Sequence, residues 1–165
     1  MWTKGRAAGV VVAVVLGLAL VVGAGPASAA KKPKSCTLLK AAQISEVLGA
    51  DVSGPGGAGT LDIACDFDVG PGLGEPGGGI LIVQYYERGP IASSVYSAMK
   101  DGAEGLEPGV RVPGTKVWFT PTTGAWVKRK GQVVNVSLSY TLSDPPAEAT
   151  QDVVVELAEL AAKKL

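Results

Sequence analysis

The chain has 165 residues, 15 basic and 15 acidic side chains, two cysteines and no histidine. Without histidine there is no Ser-His-Asp or Cys-His catalysis and no zinc site of the usual kind. Setting aside Lys4 and Arg6 leaves 13 basic residues against 15 acidic ones, a net charge of −2, which gives no electrostatic ground for binding nucleic acid.

Lys4 and Arg6 precede an apolar run from Ala7 to Gly25, followed by Pro26-Ala27-Ser28-Ala29-Ala30. A positive start, an apolar stretch and small residues at Ala27 and Ala29 form the pattern of a signal peptide, with cleavage after Ala29 or Ala30. Residues 1–30 are therefore expected to be an export signal, and 31–165 a single exported domain. The alternative is an uncleaved membrane anchor, since the run reaches the lower limit of about 17–25 residues needed to span. That segment is the only route to a membrane the sequence offers. No cysteine stands at the cleavage site for lipid attachment. Export implies a secreted, extracellular or cell-envelope location. In such an oxidising compartment Cys36 and Cys65 are expected to form one structural disulfide. In the chain-entropy model that closure stabilises the fold by about 3–4 kcal/mol. Lys31, Lys32 and Lys34 read as a solvated leader, with weak attraction to anionic lipid or wall polymer as the alternative.

Along the exported part, Leu39, Ile44, Val47 and Leu48 mark one face of a helix over Lys40–Leu48, with Gly49 placed to end it. Residues 51–60 are loop by composition. Leu61–Val69 reads as a strand with Ile63, Cys65 and Phe67 inward and Asp62, Asp66 and Asp68 on the other face. Three carboxylates on one face suggest calcium or, more simply, a solvated surface, and the spacing is not that of an EF-hand. Residues 70–79 are almost all glycine and proline and lack the lysine of a phosphate loop. Ile80–Glu87 is the partner strand, apolar on both faces and so expected to be central and well covered. A second helix opens at Gly89-Pro90 and runs to about Gly102, with Ile91, Val95, Ala98 and Met99 toward the sheet. A loop covers Ala103–Gly114.

Strands follow at Val117–Thr120, Gly124–Lys128 and Gln132–Thr141. The last alternates most clearly, with Val134, Val136, Leu138 and Tyr140 on one face and Asn135, Ser137, Ser139 and Thr141 on the other. Its turn admits two registers. A two-residue Lys130-Gly131 loop pairs Trp126 with Asn135 and sends the tryptophan to the surface. A three-residue Arg129-Lys130-Gly131 loop pairs it with Val134 and buries it. Lysine is a poor first residue of a type I′ turn, so the three-residue loop is expected. Asp144 as cap, Pro145 at the first position and Glu148 in the first turn open a last helix, with Val153, Val154, Leu157, Leu160 and Ala161 buried. The order α-β-β-α-β-β-β-α implies an α+β two-layer sandwich, a mostly antiparallel sheet of about five strands with helices on one face.

Cys36-x-Leu38-Leu39 opening a helix that ends Leu48-Gly49, Cys65-Asp66-Phe67 in an acidic strand, Val112-Pro113-Gly114, and Trp126-Val127 with Lys130-Gly131 leading into a valine strand follow in a recurring order. Together they resemble a family of small exported proteins and lipoproteins of actinobacteria, catalogued as a domain of unknown function. Members often have Ser or Thr where this chain has Lys40, and many carry a lipobox cysteine that this chain lacks. The resemblance implies an exported or cell-envelope α+β domain and brings no catalytic residues.

No carboxylate pair is placed in a cleft by the sequence, and Ser93 or Ser94 with Lys100 is a dyad only on paper. Asn135-Val136-Ser137 matches a glycosylation acceptor but lies within a strand. No cofactor or metal is called for. Trp118, Phe119 and Tyr86 are the candidate ligand-binding residues, because adjacent Trp118 and Phe119 must face opposite ways in a strand and one of them leaves the main core. The expected function is a non-catalytic exported binding module for a small apolar or wall-derived ligand. Alternatives are a protein-interaction domain at the envelope and, more remotely, a hydrolase.

Overall fold

The computed structural model describes residues 34–56, 63–72, 74–103, 107–140 and 147–165, with backbone only for 147–149. All of them belong to the unit Lys31–Leu165. The expected signal peptide, Asp62 of the acidic strand, Thr141 and the cap at Asp144-Pro145 lie outside the described residues.

Two short helices, α1 (Ser35–Leu38) and α2 (Ala41–Leu48), lead into strands β1 (Val52–Ser53), β2 (Ala64–Val69) and β3 (Gly79–Tyr86). Helix α3 (Pro90–Asp101) connects to β4 (Val110–Arg111), β5 (Val117–Thr120), β6 (Gly124–Arg129) and β7 (Gln132–Tyr140), and α4 (Ala147–Ala162) closes the chain. The seven strands form one antiparallel sheet in the order β1-β2-β3-β7-β6-β5-β4. Two meanders thus meet at a central ladder in which all eight residues of β3 pair with β7. The sheet has seven strands rather than five because β1 and β4 lie in stretches read as loop. Two-residue edge strands carry no periodicity to announce them.

The alternation of β7 is as expected. Val134 and Val136 are fully buried on one face, beneath Val154, Leu157, Ala158 and Ala161 of α4. Alanine at two of those helical positions lets the helix approach the sheet closely. The same face carries Cys65, Phe67, Leu81, Val83 and Val117, and α1 packs on it beside α4. Val153 and Leu160 are only half-buried, at the rim of the helical stripe. Helix α2 ends at Gly49 in the left-handed region (φ 65°), and its amide donates to Ser45 O, the expected C-terminal stop. Its Lys40 has no acceptor for the first-turn amides; Gln43 Oε1 instead accepts from the Lys40 N–H.

The expectation of helices on one face only is corrected. Helix α3 packs on the opposite face, over Trp126 and Val133. It does so through Ala92, Val95, Tyr96 and Met99, an i, i+3, i+4, i+7 stripe, whereas Ile91 is 72% exposed and faces solvent. Because α3 covers only part of this face, β3 is not covered on both sides: Leu81, Val83 and Tyr85 are buried while Ile80, Ile82, Gln84 and Tyr86 are half-exposed.

The β6–β7 turn is also corrected. Arg129 pairs with Gln132, so the loop is the two residues Lys130-Gly131, both with positive φ (50° and 80°), the type I′ pattern. Trp126 therefore pairs with Asn135, yet it is buried all the same. The face that would have been solvent is roofed by α3. Cys36 and Cys65 are joined, tying α1 to β2 with Cα atoms 5.0 Å apart.

Candidate functional site

The sequence-named aromatics divide between the two faces. Tyr86 and Trp118 lie on the α3 side, flanking Trp126; the Tyr86 and Trp126 rings stack with centroids 6.2 Å apart. Phe119 points to the other side, packs against the α4-side core and lines a separate hollow of about 310 Å³. The three are thus not one site.

Beneath α3 the polar groups are satisfied locally. Trp126 Nε1 donates to Thr123 Oγ1 (2.9 Å), Thr120 and Thr123 share a hydroxyl–hydroxyl bond, and Thr123 N donates to Thr120 Oγ1. Asn135 Nδ2 donates to Thr123 O at 2.7 Å and to Ala125 O at 3.2 Å, which is how an amide sits in the core at 2% exposure. That burial also closes the glycosylation reading of Asn135. The apolar hollow here, between Met99, Val95 and Trp126, holds about 160 Å³. Ligand sites ordinarily run from about 300 to 1,000 Å³. Lysine 100 lies over the Trp118 ring (5.6 Å), and Lys128 lies over Tyr96 (5.6 Å). Burial pushes the Tyr86 and Tyr96 hydroxyls above the usual tyrosine value, and at Tyr96 the nearby Arg111 opposes the rise.

The acidic strand assembles no cation site. Asp66 and Asp68 stand on the α3 side of β2, and no cluster of metal-ligating side chains occurs among the described residues. Burial, and then the neighbouring Asp68 charge, hold the Asp66 carboxyl above its usual value. Ser93 meets Lys128 rather than Lys100 (3.4 Å), on an exposed helix surface with no cleft around it. Lys34, read as solvated leader, instead donates to Tyr85 OH (3.1 Å) and lies over that ring.

A larger concavity lies elsewhere, where β6 outruns its neighbour. The β5–β6 ladder ends at Val117 paired with Val127, so Lys128 and Arg129 continue past it. Into this gap fits a groove of about 960 Å³. The turn Pro113–Lys116 forms one wall, and the tip of β6 with the end of α4 forms the other. Val117 and Val127 lie at its base. Arg111, Lys116, Lys128, Arg129, Lys130 and Lys163 line it, with Glu159 the one carboxylate. All six cations are exposed, and among the described residues none is in a salt bridge.

Both walls are held by the fold. Arg129 donates to Ala162 O (2.8 Å), positive charge meeting a carbonyl at the C-terminal end of α4, and Lys130 donates to Leu165 O (3.2 Å) beyond the helix. On the turn, Thr115 Oγ1 donates to Val112 O and accepts from the Val117 amide. Lys130 is the only non-glycine residue with positive φ among the described residues. A left-handed backbone costs a residue with a Cβ on the order of 1 kcal/mol.

None of these six residues is named as a binding residue from the sequence; Arg129 and Lys130 are read there as part of a turn. The signal was the run Lys128-Arg129-Lys130, which marks a turn and a charge cluster at once. Comparison with models of known families, with curated proteins and with solved structures finds no match for the chain.

Proposed function

We propose that the protein is a non-catalytic binding module of the cell envelope or extracellular space, and that its ligand is an anionic component of that environment held in the basic groove. The carrying observation is the groove itself: six cationic residues and one carboxylate line one concavity, with the Lys128 ammonium alone turned away toward Ser93 and Tyr96, in a chain that is net acidic once Lys4 and Arg6 are set aside. Charge collected locally against the overall balance is an electrostatic funnel rather than a general surface property.

Lysine at position 130 supports the reading. Asparagine or glycine suits the first position of a type I′ turn, and lysine there exchanges backbone comfort for a charge at the mouth of the groove. The disulfide fits an oxidising location, and among the described residues no helix is long and apolar enough to cross a membrane. A small apolar ligand beneath α3 is not favoured, because that hollow is half the size of the smallest usual sites.

The test is fluorescence anisotropy of labelled long-chain polyphosphate titrated with the full chain, at low salt and again at about 0.15 M. Saturable binding that weakens with salt is the expected result. No binding at low salt, of polyphosphate or of any other soluble polyanion offered, removes the anionic ligand from consideration.

A further inference from the structure

We infer that the groove is a two-sided clamp for a linear polymer whose phosphate groups are separated by neutral carbon spacers, a phosphodiester-linked chain. This rests on the anionic-ligand reading above and specifies its ligand.

Three features carry it. The cations do not converge on one buried point, as a site for a single anion requires; they stand on three separate elements, all exposed. Arg111 and Lys116 belong to the β4–β5 hairpin, whereas Lys130 and Lys163 belong to the β6–α4 wall. A ligand touching both walls must span the groove, whose 960 Å³ is many times the volume of one phosphate. The base between the walls is apolar, with Val117 and Val127 framed by Pro113 and Ala162. A chain alternating charged groups with neutral spacers matches charged walls over an apolar base, and a carboxylate on every unit does not.

The cations also differ in freedom. Arg129 is occupied by the Ala162 carbonyl of α4 and Lys130 by Leu165 O beyond the helix, so they fix the wall and lend charge. No hydrogen bond or ion pair within the fold holds the Lys116 or Lys163 ammonium among the described residues, so these two are free to follow a ligand. Arg111 Nη2 donates to Thr115 O (3.4 Å), so this guanidinium braces the hairpin wall and leaves its remaining N–H groups for phosphate oxygens.

The experiment is a set of titrations with the full chain: inorganic phosphate, long-chain polyphosphate, synthetic poly(glycerol phosphate), polyglutamate, and phosphatidylcholine vesicles containing phosphatidylglycerol. Poly(glycerol phosphate) is expected to bind most tightly, with inorganic phosphate barely registering. Lys116→Gln and Lys163→Gln are each expected to weaken the polymer about fivefold, and the double variant about 25-fold. The slope of log K against log salt is expected near −3, as for four cations on a single-stranded polyanion. Both sites are exposed, so circular dichroism and melting of the variants should match the parent and separate lost binding from lost fold.

Inorganic phosphate binding as well as the polymer, per phosphate, would overturn the clamp while leaving an anion site. Polyglutamate binding equally well would overturn the choice of phosphate. Binding to vesicles without binding to soluble polymer would make the groove a lipid-surface contact and overturn the polymer. Failure of all five probes would instead remove the anionic-ligand reading on which the inference stands.

Discussion

One strand serves two regions of opposite character. At Trp126, β6 presents a ring to a roof of α3, stacked near Tyr86 and bonded through its nitrogen to Thr123. Three residues further on, at Arg129, the same strand borders a groove lined by exposed cations. Beneath α3 the contacts serve stability: the space left open is only about 160 Å³ and the amide of Asn135 meets two carbonyls. In the groove the fold holds cations close together and sets a lysine in a left-handed turn, both of which oppose stability. The aromatics named from the sequence, Tyr86, Trp118 and Phe119, are partly buried at the edges of the two cores. The concavity proposed as the site is lined instead by cations that the sequence did not name as ligand-binding residues.

That contrast can be broken at several points. The largest effect is expected at Trp126→Ala, which should cost about 3–5 kcal/mol in denaturant unfolding, the usual range for an aromatic lost from a core. Polymer affinity measured on the folded fraction should be unchanged; a large loss would place the ligand under α3 instead. Asn135→Ala is next. It leaves the Thr123 and Ala125 carbonyls without their buried donor and should cost about 1–3 kcal/mol, read by the same unfolding curve.

Lys130→Asn should act with the opposite sign. Asparagine tolerates the left-handed backbone, so a gain of about 0.5–1 kcal/mol is expected, together with about fivefold weaker polymer binding. A variant that loses stability would show that the lysine is kept for α4 and not for a ligand.

The smallest expected effect concerns Asp66, on the acidic side of the sheet. Burial and the Asp68 charge raise its folded-state value, so the folded protein holds that proton more tightly than the unfolded chain. Its favourable contribution is therefore present at low pH and lost as pH rises past the usual value of 3.8. Asp66→Asn should accordingly melt higher than the parent at neutral pH, and the difference should disappear below that value.

Much of the frame could be read directly. The alternation of β7, the end of α2 at Gly49 and the joining of Cys36 to Cys65 each follow from local pattern or compartment. The turn at Lys130-Gly131 could not, because the rule that disfavours lysine there is a matter of about 1 kcal/mol, which the five paired rows of β6 with β7 and a packed helix readily outweigh. The side on which α3 packs was equally hidden. Its apolar residues permit more than one stripe, and the choice of Ala92 over Ile91 is made by the bulky rings it must cover. The groove is the clearest case. Residues 111–116, 127–130 and 159–163 are far apart in the chain, so no local window shows them together, and a near-neutral total charge averages them away.

The most direct test of the groove is lysine-reactivity footprinting of the full chain, with amine acetylation read by mass spectrometry with and without saturating poly(glycerol phosphate). Protection of Lys116, Lys130 and Lys163, with Lys40 and Lys100 unchanged, is the expected result. Uniform protection, or protection confined to lysines outside the groove, would contradict it.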